Sequence, residues 1–347
     1  RSACVTGVQT CALPIWNDGW ANPKAMYQQG YDLIDMNDGS VYIVPAAGYY
    51  ADYLSRQSMY NYDPATRMGV PSGSEQTLGG AYAIWNDMVD QRANGLTEME
   101  IYDRFNDAAP YYAAALWGKS GEVSFTTAQQ TSENVGEAPG VNAYDKVDSE
   151  TDEILSYDFE DGLSDKSANE YDAENGKNAE VKDGELVLKG GESYISTPLD
   201  KVGPEKELSF DITLTQPAEP GQILFEAEKD EDHEAYSTHN IRIMEDGTLG
   251  FTREGYDYSF GYKLPVNQKM TLKIRTKNGS TVLIADGKEY KATGSFTYEG
   301  DVKKTGITSS TLSLPLTRIG SDTNAVHAII DNVNLSSTMS DGESSPI

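Results

Sequence analysis

The residues best suited to act on a ligand stand in three short segments. Gly79-Gly80-Ala81-Tyr82-Ala83-Ile84 is an apolar run that ends on Trp85-Asn86-Asp87, Val41-Tyr42-Ile43-Val44 leads to Tyr49-Tyr50-Ala51-Asp52, and Trp16-Asn17-Asp18 has the same build. Each sets an aromatic ring beside a carboxylate. An indole or phenol offers an apolar face with a polar tip, and an ionised carboxylate is a strong hydrogen-bond acceptor. That pairing suits a sugar, whose C–H face stacks while its hydroxyls donate. Polar groups directly after a buried strand are also where a (β/α)8 barrel carries its reacting groups. The three segments therefore predict the last third of such a barrel.

The elements that would position them follow from local signals. Asn22-Pro23 opens a short helix to about Gln29 that Gly30 closes, a strand follows around Asp32 to Asp35, and Asn37-Asp38-Gly39 reads as a turn before the strand Val41 to Val44. Thr97 and Glu100 make a capping box. Ile101, Phe105, Ala108, Ala109, Tyr112, Ala115 and Leu116 then recur at helical spacing, giving a helix to Trp117 with a bend at Pro110. Trp20 and Trp117 are expected to pack rather than bind. This β-then-α order over residues 16–118 favours a parallel arrangement.

Past residue 118 the text changes. Residues 119–153 are rich in Ser, Thr, Gly, Asn and acids and read as a linker, while 154–337 alternate apolar and polar residues between turn pairs. Glu185-Leu186-Val187-Leu188, Leu208 to Ile212, Thr271 to Ile274 and Val282 to Ala285 are separated by Asp183-Gly184, Asp246-Gly247, Asn278-Gly279 and Asp286-Gly287. Such pairs between alternating runs are strong hairpin signals, so an antiparallel β-sandwich of around a dozen strands is expected. The expected fold class is thus α/β plus all-β: a truncated C-terminal part of a (β/α)8 TIM barrel, then a sandwich. Tyr256, Tyr258, Phe260 and Tyr262 alternate and could form a sugar-stacking face, or divide between core and surface. Residues 338–347 form a polar tail expected to be disordered.

Residues 1–15, RSACVTGVQTCALPI, resemble the conceptual translation of a sequencing-adapter oligonucleotide and are set aside as artefact. They contain Cys4 and Cys11, the chain's two cysteines, so no disulfide framework or thiolate site is expected. With 55 acidic against 27 basic residues and a formal charge of -28, the chain should repel nucleic-acid phosphates and anionic membrane surfaces. No apolar run approaches the roughly 18–20 residues that a bilayer span needs. Neither nucleic acid nor membrane insertion is expected.

On these residues the first region resembles glycoside hydrolase family 20, the β-N-acetylhexosaminidases, through the order Trp-Asn-Asp, Tyr-x-Asp, Trp-Asn-Asp and a terminal helix ending in Leu-Trp. The resemblance implies a retaining reaction in which the substrate's 2-acetamido carbonyl is the nucleophile. Tyr50 would hold the acetamido oxygen, and a one-residue shift would give that role to Tyr49. Trp85 would form the floor under the terminal sugar, Asp87 would accept from its hydroxyls, and Trp16 would wall the acetamido pocket, with Asp18 and Asp52 as further substrate-binding residues. Each has a plainer alternative, Trp16 as packing and Asp87 as a loop cap. Ile34-Asp35-Met36-Asn37 stands where many members carry another tryptophan. The family's Asp-Glu acid pair precedes Trp16 and is not in this sequence, so the chain is expected to be inactive as written.

The second region resembles the concanavalin A-like or laminin-G-like sandwiches attached to secreted glycosidases, on Leu155-Ser156-Tyr157-Asp158-Phe159-Glu160-Asp161-Gly162, Tyr194-Ile195 and Ile329-Ile330-Asp331-Asn332-Val333. It implies a structural calcium ion (Ca2+) held by Glu160 and Asp331; the alternative is that these acids are solvated or paired with lysines. The two resemblances imply a bacterial extracellular or cell-surface protein acting on N-acetylhexosamine-containing glycans. A carbohydrate-binding or adhesion module is the alternative from another functional class.

Overall fold

Hydrogen bonding divides the secondary structure into short parallel ladders and one large antiparallel network. The computed structural model describes residues 13–15, 22–45, 47, 50–89, 96, 98–118, 121–135, 147–228, 238–253, 256–277, 279–297, 303–305 and 309–337. Two compact units emerge, one of Arg1–Gln91 with Glu100–Val141 and the other of Arg92–Met99 with Asn142–Ile347.

In the first unit, β1 (Leu13–Ile15), β2 (Leu33–Asp35) and β4 (Thr77–Gly80) form a parallel sheet in the order β1-β2-β4. A separate parallel pair joins β3 (Tyr42–Ile43) to β5 (Ala83–Ile84). The helices are α1 (Pro23–Gln28), α2 (Asp38–Val41), α3 (Arg56–Tyr60), α4 (Pro64–Met68), α5 (Glu98–Leu116) and α6 (Phe125–Val135). Their starts are written in the sequence. Asn22, Ser55 and Asp63 accept from the backbone of Ala25, Ser58 and Ala65, and proline stands at the head of α1 and α4. Thr97 lies outside the described residues. Pro110 sits inside α5 without ending it.

The expectation of a (β/α)8 barrel is overturned. Among the described residues the parallel strands make a three-stranded and a two-stranded sheet that do not join, and the chain's dominant sheet is antiparallel. A barrel requires each strand to bond two neighbours around a closed ring. Short parallel strands alternating with helices meet that requirement only locally, and the same alternation builds any small α/β layer. Leu13–Ile15, within the stretch set aside as artefact, pairs with Leu33–Asp35, and the range read as a linker contains α6.

The second unit is the expected antiparallel β-sandwich. Fifteen strands are linked through one 19-residue strand, Arg318–Ser336, which pairs with Lys206–Leu214, Ile223–Glu226, Glu153–Tyr157 and Glu185–Ser196. Alternation does the sorting: Lys206–Leu214 and Met270–Lys277 bury every second side chain. The core gathers Tyr157, Phe159, Phe210, Phe225, Phe251, Tyr258, Leu272, Ile274, Leu283 and Ile330. Each such side chain contributes about 1.5–3 kcal/mol on leaving water. At Asp183-Gly184 and Asp286-Gly287 both residues have positive φ, as two-residue hairpin turns demand.

Candidate functional site

The site grows out of the β3–β5 pair. Ile43 is its hub: its carbonyl accepts from Trp85 N at 2.9 Å, and Ala51 bridges it in parallel, with Val44 N donating to Ala51 O at 3.0 Å. Tyr50 and Asp52 flank Ala51, so they emerge on one side of β3 while Trp85 emerges on the other. The two flanking segments, distant in sequence, are thereby each held about one strand spacing from β3.

Trp85 is 44 % exposed, large for an indole. Its ring stacks on Tyr42 with centroids 5.9 Å apart and planes 23° from parallel. Tyr42 is itself buried and backs the indole. Tyr50 Oη donates to Asp38 Oδ2 at 3.0 Å, and Asp38 opens α2 beside β3. Burial pushes the Tyr42 phenol above its ordinary value, the Asp38 carboxylate adds to that rise, and a hydrogen bond with Trp85 works against it. Tyr50 is thus bonded to Asp38, and Tyr42 is stacked on Trp85.

Charged side chains of α5 back the Asp52 side. Arg104 of α5 is fully buried; its Nη2 lies 3.4 Å from Asp52 Oδ1, its Nη1 donates to Glu100 O at 2.9 Å, and its guanidinium sits 4.6 Å from the Tyr53 ring centroid. Tyr53 Oη donates to Asp103 at 2.7 Å, and Arg56 Nε to Asp107 at 2.8 Å. Burying an arginine is costly unless it is paired in this way. Asp52 is thus an anchor for α5 as well as a candidate contact for a ligand.

Asp35, buried at the end of β2, serves as a pin. It is buried, accepts from Tyr62 Oη at 2.6 Å and from Asn37 N at 3.1 Å, and with burial it pushes the Tyr62 phenol strongly upward. The glycine pair beside it is sterically required at Gly80, where a Cβ would fall 2.1 Å from Tyr112 Oη. Asp87 is exposed in a turn after Trp85. Trp16, Asp18, Trp20 and Tyr49 lie outside the described residues. Trp117, expected to pack, is 83 % exposed. Asp38 and Tyr42 were not singled out as site residues; the only sequence signals were a turn motif and a short apolar strand.

The sandwich offers no comparable platform among its described residues. Tyr256, Tyr258, Phe260 and Tyr262 are all buried; Tyr256 and Tyr258, two apart on the strand Tyr256–Ser259, share its core face. Nor do the residues present fit a calcium ion at Glu160 and Asp331. Asp331 Oδ2 holds Lys269 Nζ at 3.1 Å and Asn332 Nδ2 at 3.0 Å, while its Oδ1 accepts from Asn332 N at 2.8 Å. Lys269 also lies 3.3 Å from Asp211 and 3.6 Å from Glu185, so an ammonium supplies the cation that this acidic corner needs. Among the described residues no group of three or more His, Cys, Asp or Glu has metal-holding geometry.

No protein-family model matches the chain, and no curated protein does. Solved structures similar to it include domain 4 of a GH43 extracellular arabinanase from Geobacillus stearothermophilus in complex with arabinotriose, at 21 % identity over 53 % of this chain and 91 % of that one, with a TM-score of 0.36. Trypanosoma rangeli sialidase in complex with sialic acid aligns at 12 % identity over 55 % of this chain and 31 % of that chain, with a TM-score of 0.37. The binding domain of botulinum neurotoxin serotype D aligns at 14 % identity over 55 % of this chain and 48 % of that chain, with a TM-score of 0.34. At scores of this size the chemistry of the chain has to be argued from its own residues.

Proposed function

We propose that this chain binds carbohydrate, with Trp85 as the stacking platform and the Tyr50–Asp38 pair as the polar edge that orients the sugar. The observation that carries this reading is the half-exposed indole of Trp85, backed by the buried ring of Tyr42. An exposed tryptophan held flat by a second ring exposes apolar area at little entropic cost, because its rotamer is already fixed. Carboxylates at its rim supply the acceptors that sugar hydroxyls need. Calorimetric titration of the full chain with oligosaccharides ending in N-acetylhexosamine tests it: saturable binding is expected, and its loss in Trp85→Ala places the site.

A second reading, a part of a substrate-assisted β-N-acetylhexosaminidase, is favoured by one observation. Tyr50, Asp52, Trp85 and Asp87, which the resemblance names, come from segments that meet at Ile43. Against turnover by this chain stand two features. Residues 1–141 contain no adjacent Asp-Glu pair, and the single proton of Tyr50 is donated to Asp38 instead of being directed at an acetamido oxygen. A chromogenic N-acetyl-β-hexosaminide should therefore be left intact, and release of the chromophore by purified chain would favour the hydrolase.

A further inference from the structure

We propose that the Lys269 ammonium is the resident cation of the sandwich, tying three neighbouring strands together in the corner where the resemblance puts a calcium ion, so that the sandwich holds its fold without the metal. The proposal is independent of sugar binding. Asp211 and Asp331 stand directly opposite each other on the antiparallel strands Lys206–Leu214 and Arg318–Ser336. On the far side of Arg318–Ser336, Ile330 pairs with Leu186, which sets Glu185 beside Asp331. Like charges facing across a ladder are destabilising unless a counter-charge relieves them. The need is sharper here because the Asp211 and Asp331 side chains are only 14 % and 15 % exposed.

Lys269, one residue before the strand Met270–Lys277, supplies that counter-charge. Its Nζ lies 3.1 Å from Asp331 Oδ2, 3.3 Å from Asp211 Oδ2 and 3.6 Å from Glu185 Oε1. An ammonium has three N–H groups to divide among three carboxylates. Calcium draws its oxygens in to about 2.3–2.6 Å, so this wider spacing suits the ammonium. The same oxygens also receive neutral donors. Asn332 Nδ2 donates to Asp211 Oδ2 at 2.9 Å and to Asp331 Oδ2 at 3.0 Å, and Thr271 Oγ1 donates to Asp211 Oδ1 at 2.6 Å. Burial pushes the Asp211 carboxyl up, and the hydrogen bonds from Thr271, Asn332 and Lys269 outweigh it, leaving it below its ordinary value. A lone exposed ion pair contributes little, but one cation shared by three anions is a network.

The test is hydrogen exchange of the full chain, read by mass spectrometry on peptides from Lys206–Leu214, Glu185–Ser196 and Arg318–Ser336. Wild type stripped with EDTA should exchange at the same rate after millimolar calcium is added as after sodium at equal ionic strength. Lys269→Met keeps much of the stem and removes the charge, and it should speed exchange in these strands several-fold while leaving peptides of the α/β unit unchanged. Lys269→Arg restores a cation and should keep most of the protection. Slower exchange of the wild-type strands in calcium than in sodium overturns the proposal, because the corner would then hold the metal. Unchanged exchange in Lys269→Met overturns it as well, since the ammonium would then tie nothing. Should Lys269→Met fail to fold, the wild-type comparison and Lys269→Arg decide: calcium protection of the wild type, or loss of protection in a folded Lys269→Arg, contradicts the assignment.

Discussion

At the scale of single residues, the site depends on a few side chains whose partners come from distant sequence. Trp85→Ala removes the platform and should weaken sugar binding at least about tenfold, as loss of a central aromatic anchor does; unchanged unfolding in denaturant would show that the loss is local. Asp165 offers a separate test in the sandwich. It accepts from Ser156 N at 2.8 Å, Ser167 N at 2.9 Å and Tyr171 N at 2.9 Å, and these hydrogen bonds, with one from the Ser167 hydroxyl, hold its carboxyl below the ordinary value against the opposing effect of burial. A depressed carboxyl contributes stability above its unfolded pKa of about 3.9 and loses it as pH falls through the folded value. Melting of the wild type should therefore drop more steeply below about pH 4 than that of Asp165→Asn, and parallel curves would contradict the assignment. Trp85, Tyr50 and Asp52 could be picked from sequence because aromatic and acid follow an apolar run. Asp38 and Tyr42 could not: their roles exist only once β3 pairs with β5 and α2 folds beside it. The arginine behind Asp52 is likewise a property of how α5 packs.

At the scale of elements, hairpins were the most legible feature and long strands the least. Asp183-Gly184 and Asp286-Gly287 sit where the alternation breaks, and both adopt the left-handed turn geometry. Gly184 has φ 77°, and a Cβ there would fall 2.8 Å from the Glu160 carboxylate. Gly184→Ala should cost about 1–3 kcal/mol of stability, read from urea unfolding; a neutral change would mean the turn relaxes freely. The 19-residue strand Arg318–Ser336 was seen only in part because exposed Asp322-Thr323-Asn324 interrupt its apolar pattern, at a shift of register between Ser321 and Ala325. The barrel expectation failed for a related reason, since a strand followed by a helix fixes local order but not which strand edges meet. For the aromatics of 256–262 the sequence leaves open a sugar-stacking face or a division between core and surface, and in the structure all four are buried. Tyr258, stacked on Phe251 at 4.9 Å and donating to Ser309 O at 2.8 Å, belongs wholly to that core. Its replacement by Ala should destabilise the sandwich by about 3–5 kcal/mol and not act through sugar contacts.

At the scale of the whole molecule, the two units differ in how they are held together. The sandwich has one continuous core running from Ile154 to Leu335 and strands that pair within the unit. The α/β unit is held by two smaller clusters, one around Ile43, Tyr60 and Tyr112 and one around Leu33 and Met68. A protein spanning residues 147–337 should therefore melt cooperatively alone, and limited proteolysis of the full chain should leave that piece longest. Equal protection of the α/β unit would contradict this ranking. The central claim, however, is that sugar binds at the Trp85 platform of the smaller unit and not on the sandwich. Its most direct test is calorimetric titration of a neutral N-acetylhexosamine-terminated oligosaccharide into the full chain and into Trp85→Ala. Saturable binding by the wild type that is lost in the variant is the predicted result. Binding of equal strength in both, or in the isolated 147–337 sandwich, would contradict the account.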